Sequence, residues 1–130
     1  MAPNTNISIN GDAANLDEWM ETLLGYVRSG QPDLTNRQMA LLMVVYLDGG
    51  PHTVRALAGR LGVSKPVVTR ALNTLGALGY LRRQKDAKDL RNIFVERTPG
   101  GQAFLGDFAG LIGGAANHDM RQAPRRSAAA

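Results

Sequence analysis

Ser64, Lys65, Pro66, Thr69, Arg70 and Asn73 are spaced so that a helix beginning near residue 65 carries them on one side. Their chemistry is recognition, with no nucleophile and base among them. Arg and Lys can donate to guanine, Asn can read adenine, and Ser or Thr hydroxyls can bond phosphate. Pro66 is the exception, and packs flat against a sugar or a thymine methyl. No Asp or Glu occurs from Val54 to Gln84. The partner that fits such a face is a polyanion, and double-stranded DNA is the one whose groove matches a helix.

A second cationic group follows. Residues 82–91 read Arg-Arg-Gln-Lys-Asp-Ala-Lys-Asp-Leu-Arg and carry five positive charges: Arg82, Arg83, Lys85, Lys88 and Arg91. At the tip of a hairpin they suit flanking phosphates and the narrow minor groove, where negative potential is strongest. Arg82 and Arg83 point to opposite faces of a strand, so only one can share the surface of the helix. Asp89 is placed to pair with Arg91 and hold its guanidinium outward. Thr53, the N-cap of the preceding helix, completes the expected DNA-facing set.

The elements that position these side chains are legible from caps and periodicity. Thr53 caps a helix over 54–61 closed by Gly62, and Ser64 caps a second over 65–78 closed by Gly79. Ala58 is the small residue at the crossing, and Gly62 supplies the turn. Leu57, Leu61, Val63, Val68 and Ala71 set the angle between the helices, with Leu72, Leu75 and Leu78 continuing the apolar set. The runs 80–84 and 92–98 alternate like strands, with the charged 85–91 as the loop of a β-hairpin.

Upstream, Leu16, Trp19, Met20, Leu23, Leu24 and Val27 recur at helical spacing until Gly30 and Pro32. Thr35-Asn-Arg-Gln38 matches a capping box opening a buried helix over 39–47. Thr98-Pro99 starts a last helix, with Phe104, Leu105, Phe108, Leu111 and Ile112 on one face. Its glycines make it weak alone, so either it frays or Gly106, Gly110 and Gly114, four apart, admit a second helix. The order is four helices, a hairpin and a helix. The fold expected is mainly α (α+β), a winged helix-turn-helix with a small β-hairpin wing and flanking N- and C-terminal helices. Residues 1–15 form a flexible leader, 16–114 the domain and 115–130 a disordered basic tail.

Composition agrees. The 130 residues are 44% hydrophobic and 20% charged, enough for a core, with a net charge of +4. That charge is unevenly spread. Residues 1–50 carry two arginines against six acids, whereas 51–97 carry ten basic residues against three acids. A positive middle on an acidic or neutral body is what phosphate-directed docking needs. With no cysteine, disulfides and thiolate metal sites are excluded. The longest apolar run is about half of a membrane span. No phosphate loop, dinucleotide fingerprint or paired-His metal helix occurs, so neither catalysis nor a cofactor is expected. His52 and His118 are isolated, and Trp19 and Tyr26 read as core or interface. Arg121, Arg125 and Arg126 can at most add nonspecific phosphate contacts.

Leu-Gly-Val-Ser-Lys-Pro-Val-Val-Thr-Arg (61–70), Leu75 through Arg83, Asp89-x-Arg91 and Thr98-Pro-Gly-Gly together resemble the MarR family of winged-helix transcription regulators. The resemblance runs over about 34–105. It implies a homodimer joined by N- and C-terminal helices, binding a palindromic operator from the cytoplasm of a bacterium, on its nucleoid. It implies major-groove contacts from Ser64, Lys65, Pro66, Thr69 and Arg70, and a minor-groove contact from Arg91. Some members release DNA on binding a small-molecule effector. Leu90 stands where the family usually has a second wing Arg, and the C-terminal helix is short and rich in Gly. A DNA-architectural or replication-associated protein and a protein-interaction adaptor are the alternative readings of the same residues.

Overall fold

The computed structural model describes residues 12–112. Its elements are α1 (Ala13–Arg28), α2 (Asn36–Leu47), β1 (His52–Thr53), α3 (Val54–Leu61), α4 (Lys65–Ala77), β2 (Leu81–Lys85), β3 (Ile93–Arg97) and α5 (Pro99–Ala109). They fall into two compact units, Pro32–Asp107 and a terminal unit whose described residues are 12–31 and 108–112.

Pro32–Asp107 is a helix-turn-helix backed by a small sheet. Local hydrogen bonds fix each helix start. At α2 the Gln38 N–H donates to Thr35 Oγ1 (3.1 Å), and the Thr35 N–H donates to Gln38 Oε1 (2.9 Å), a reciprocal capping box. Thr53 Oγ1 accepts from the Ala56 N–H at α3, and Ser64 Oγ from the Val67 N–H at α4. The turn between α3 and α4 needs a left-handed residue, and Gly62 takes φ +70° there. The Val63 N–H then closes back onto the Ala58 carbonyl at 3.0 Å, so the turn satisfies α3's last carbonyls as it redirects the chain.

Leu41, Leu42, Val45, Leu57, Val68, Leu72 and Leu75 are at most 1% exposed and form the core. Ala58 is buried where α3 crosses α4, and Leu61 and Val63 are half-buried.

The hairpin gains a strand that periodicity did not reveal. The sheet order is β1-β3-β2, all antiparallel, with Leu81 opposite Arg97, Arg83 opposite Val95 and His52 also opposite Val95. Two residues are too few to show alternation, so β1 is detectable only through its pairing. His52, read as an isolated surface residue, lies in β1 with Nε2 3.1 Å from the Asp48 carbonyl.

Tyr46 ties α2 to the sheet and to α5. Its hydroxyl accepts from the Thr98 N–H (2.8 Å) and lies 2.9 Å from the carbonyls of both Tyr80 and Thr98, either of which can take its proton. Arg97 lies over the Tyr46 ring and donates to the Val45 carbonyl. The start of α5 passes so close that a Cβ on Gly101 would overlap the Tyr46 hydroxyl and the Tyr80 carbonyl. This close approach accounts for a glycine that looked like a defect in a weak helix.

Two expectations for α5 change. The helix ends at Ala109, so Leu111 and Ile112 lie beyond it. Gly110 is in the following turn, Gly114 lies outside the described residues, and a Cβ on Gly106 would meet open space. A four-spaced glycine face is therefore not built within α5. The basic tail, with His118, Arg121, Arg125 and Arg126, also lies outside the described residues.

In the terminal unit, α1 starts at Ala13, inside the stretch expected to be leader. Thr22 is fully buried, its Oγ1 3.0 Å from the Glu18 carbonyl, and Tyr26 meets Phe108 edge to face at 5.4 Å. The apolar stripe read from the sequence is the outward side. Leu16, Trp19, Met20, Leu23, Leu24 and Val27 are all exposed and line one shallow apolar depression.

Candidate nucleic-acid interface

Burial of Val68, Ala71, Leu72 and Leu75 leaves Lys65, Pro66, Thr69, Arg70 and Asn73 exposed on α4. Helical geometry spreads these over an arc of about 140°, with Lys65 and Thr69 at one edge and Arg70 at the other. An open cleft runs along the first side, lined by Thr53, Val54, Arg55, Lys65, Thr69, Arg91, Asn92 and Ile93. It joins the N-termini of α3 and α4 to the base of the wing, and Lys65 and Thr69 open onto the same space as Arg91. Arg70 lines a separate groove on the far side of α4, with Thr35, Arg37, Gln38 and Thr74.

The wing arginines divide as strand geometry requires. Arg83 shares the Leu81 face, and its Nη2 donates to Asn73 Oδ1 at 2.8 Å. That bond fixes the Asn73 amide with its NH2 group free to donate outward. Arg82 lies on the other face, in an ion pair with its cross-strand neighbour Glu96 at 2.8 Å. The structure does not bring Arg82 to the α4 surface.

Arg91 makes a two-pronged contact with Asp89, Nε to Oδ1 at 3.1 Å and Nη2 to Oδ2 at 3.2 Å, while its side chain stays 87% exposed. The Arg91 guanidinium beside Asp89, followed by the Arg91 backbone N–H, holds that carboxyl below its usual range, and Arg55 adds attraction. The loop is closed by Asp86, which accepts from the Lys88 N–H and donates its own N–H to the Asn92 carbonyl. Lys85 and Lys88 are exposed along it. Thr53 and Ser64 cap their helices, and each hydroxyl keeps a proton to donate.

Arg55 and Arg37 are the side chains that motif reasoning passed over. Arg55 is in the first turn of α3 and Lys65 opens α4, positions where the helix dipole disfavours a cation. Neither first turn holds an acid. The cleft therefore concentrates three cations and two positive helix ends, an arrangement suited to an anion. The signal was available: a basic residue just after an N-cap, in an acid-free stretch.

Residues 33–92 match the MarR family model. That stretch lies within Pro32–Asp107. Over 98 residues the chain is 36% identical to the transcriptional regulator AdcR of Streptococcus pneumoniae, an alignment covering 75% of this chain. The chain spans 65% of that curated relative's length, slightly under two thirds. Among solved structures, the transcriptional regulator Tm0710 of Thermotoga maritima superposes with a TM-score of 0.63 at 25% identity, covering 84% of this chain and 70% of its own. A cysteine-to-serine mutant of E. coli MarR complexed with operator DNA gives 0.61 at 25% identity, covering 82% and 74%. These MarR-family matches agree with the winged-helix architecture. Among the described residues, no helix is long and apolar enough to cross a membrane, and no group of three or more acids and histidines is placed to hold a metal.

Proposed function

We propose that this protein is a MarR-family regulator that binds double-stranded DNA sequence-specifically and regulates transcription, with α4 in the major groove and the wing on the minor groove or backbone. The observation that carries this reading is the shared cleft of Thr53, Arg55, Lys65, Thr69 and Arg91, in which groove-facing and wing cations open onto one space. Likeness to a regulator solved on its operator supports the same docking. Lys65, Thr69 and Asn73 are the base-edge candidates. Thr53, Ser64, Lys85, Lys88 and Arg91 contact the backbone or the minor groove, and Pro66 packs against sugar. The working unit is a homodimer, for which the outward apolar stripe of α1 supplies the surface. On this reading the protein acts on the bacterial nucleoid, in the cytoplasm.

The test is duplex binding followed across salt. With three to five phosphate contacts per half, log K should fall against log salt with a slope of roughly −5 to −9. A flat response overturns the docking surface and favours an adaptor that binds protein. Steep salt dependence without preference between a selected palindrome and random duplex favours an architectural role.

A further inference from the structure

The arginines of Pro32–Asp107 fall into two groups. Arg60 pairs with Asp48, Arg82 with Glu96 and Arg91 with Asp89, while Arg83 bonds Asn73 and Arg97 bonds the Val45 carbonyl. Arg37, Arg55 and Arg70 have no such partner among the described residues. Arg55 opens onto the cleft already described. Arg37 and Arg70 come from different elements, the first turn of α2 and the middle of α4, yet they line one groove with Thr35, Gln38 and Thr74. No carboxylate lines that groove. Two unpaired guanidiniums facing the same space repel each other, and an arginine in the first turn opposes the α2 dipole.

We infer that the Arg37–Arg70 groove receives a second run of DNA phosphates, and that Arg37 is a backbone contact outside the helix-turn-helix. A helix lying in a major groove about 12 Å wide has a phosphate backbone along each of its sides. α4 has a cationic depression on each side: Arg55, Lys65 and Arg91 on one, Arg37 and Arg70 on the other. The two depressions match the two strands. Arg70, drawn to the far strand beside Arg37, is then a phosphate clamp, and base reading falls to Lys65, Thr69 and Asn73. This inference rests on the proposed placement of α4 in the major groove.

The experiment compares the full chain with Arg37→Ala and Arg37→Lys. Its probes are a duplex selected by the unaltered protein from a random pool, and a random duplex of equal length. Arg37→Ala should weaken both by the same factor and make the salt slope shallower by about one per half-site. Its melting temperature should stay unchanged, because the side chain is exposed and makes no bond. Arg37→Lys should restore the slope, since one positive charge suffices. An unchanged slope in Arg37→Ala, beside normal binding by the unaltered protein, overturns this inference alone. Loss confined to the selected duplex also overturns it, because Arg37 would then read a base. If the unaltered protein binds neither duplex, the functional reading falls with it.

Discussion

α1 and α4 are both amphipathic, and they put their apolar sides to opposite uses. α4 turns Val68, Leu72 and Leu75 into the core and leaves cations and amides outside. α1 buries Thr22 and Tyr26 and leaves Leu16, Trp19, Met20, Leu23, Leu24 and Val27 outside. Single exposed leucines are ordinary, but a contiguous stripe of six with hardly a polar atom marks a surface meant to be covered. Periodicity identifies a face. The chemistry of whatever remains outside then names the partner: an apolar surface for α1, an anionic one for α4.

The comparison breaks most readily at Leu75. That side chain is completely buried, and Leu75→Ala should cost about 2–5 kcal/mol of stability, read as a lowered denaturant midpoint. The matching change on α1, Trp19→Ala with Leu23→Ala, should act on association instead. We expect the dissociation constant of the proposed dimer to rise at least about tenfold, roughly 1.4 kcal/mol, in sedimentation equilibrium. If the double variant sediments like the unaltered protein, the stripe is not the dimer surface. A smaller effect separates the two wing arginines. Arg83→Ala frees the Asn73 amide and should weaken preference at one base pair by about 1 kcal/mol, the net value of one hydrogen bond. Arg82→Ala should leave binding unchanged, and equal losses from the two would show that the Glu96 pair does not hold Arg82 away.

What was legible in the sequence was what neighbouring residues decide. Thr35, Thr53 and Ser64 cap helices three residues or fewer away, Gly62 turns the chain where it stands, and each was readable for that reason. What escaped depends on residues distant in the chain. β1 exists only through Phe94 and Val95. Tyr46 reaches partners 34 and 52 positions on, and Gly101 is explained only by Tyr46. Candidate site residues followed the same division. Lys65, Thr69 and Asn73 stand out on a helical wheel, while Arg37 sits on another helix and meets Arg70 only after folding. Arg70 itself, adjacent to Thr69 in sequence, was expected on one face with Lys65 and Thr69 and lines a different groove from theirs. A step of one residue turns a helix by about 100°, enough to send neighbours to different strands of a duplex.

The smallest effect concerns the wing tip, where attraction between charges replaces burial as the ordering force. Arg91 holds the Asp89 carboxyl below its ordinary value of 3.8. A lowered folded value means that the pair's contribution is fully present above the unfolded value, and is lost only as pH falls through the folded one. The wing should therefore keep its Asp89–Arg91 contact through the whole neutral range in which the proposed DNA contact of Arg91 would be made. Carboxyl NMR should find Asp89 titrating below 3.8 in the unaltered protein and moving up toward 3.8 in Arg91→Ala. An exposed pair adds little to stability, so global melting should barely register the change. What the pair supplies is direction. A guanidinium anchored by one edge presents the other to a phosphate or a groove floor, and a midpoint at 3.8 in both proteins would mean that Arg91 arrives at DNA unguided.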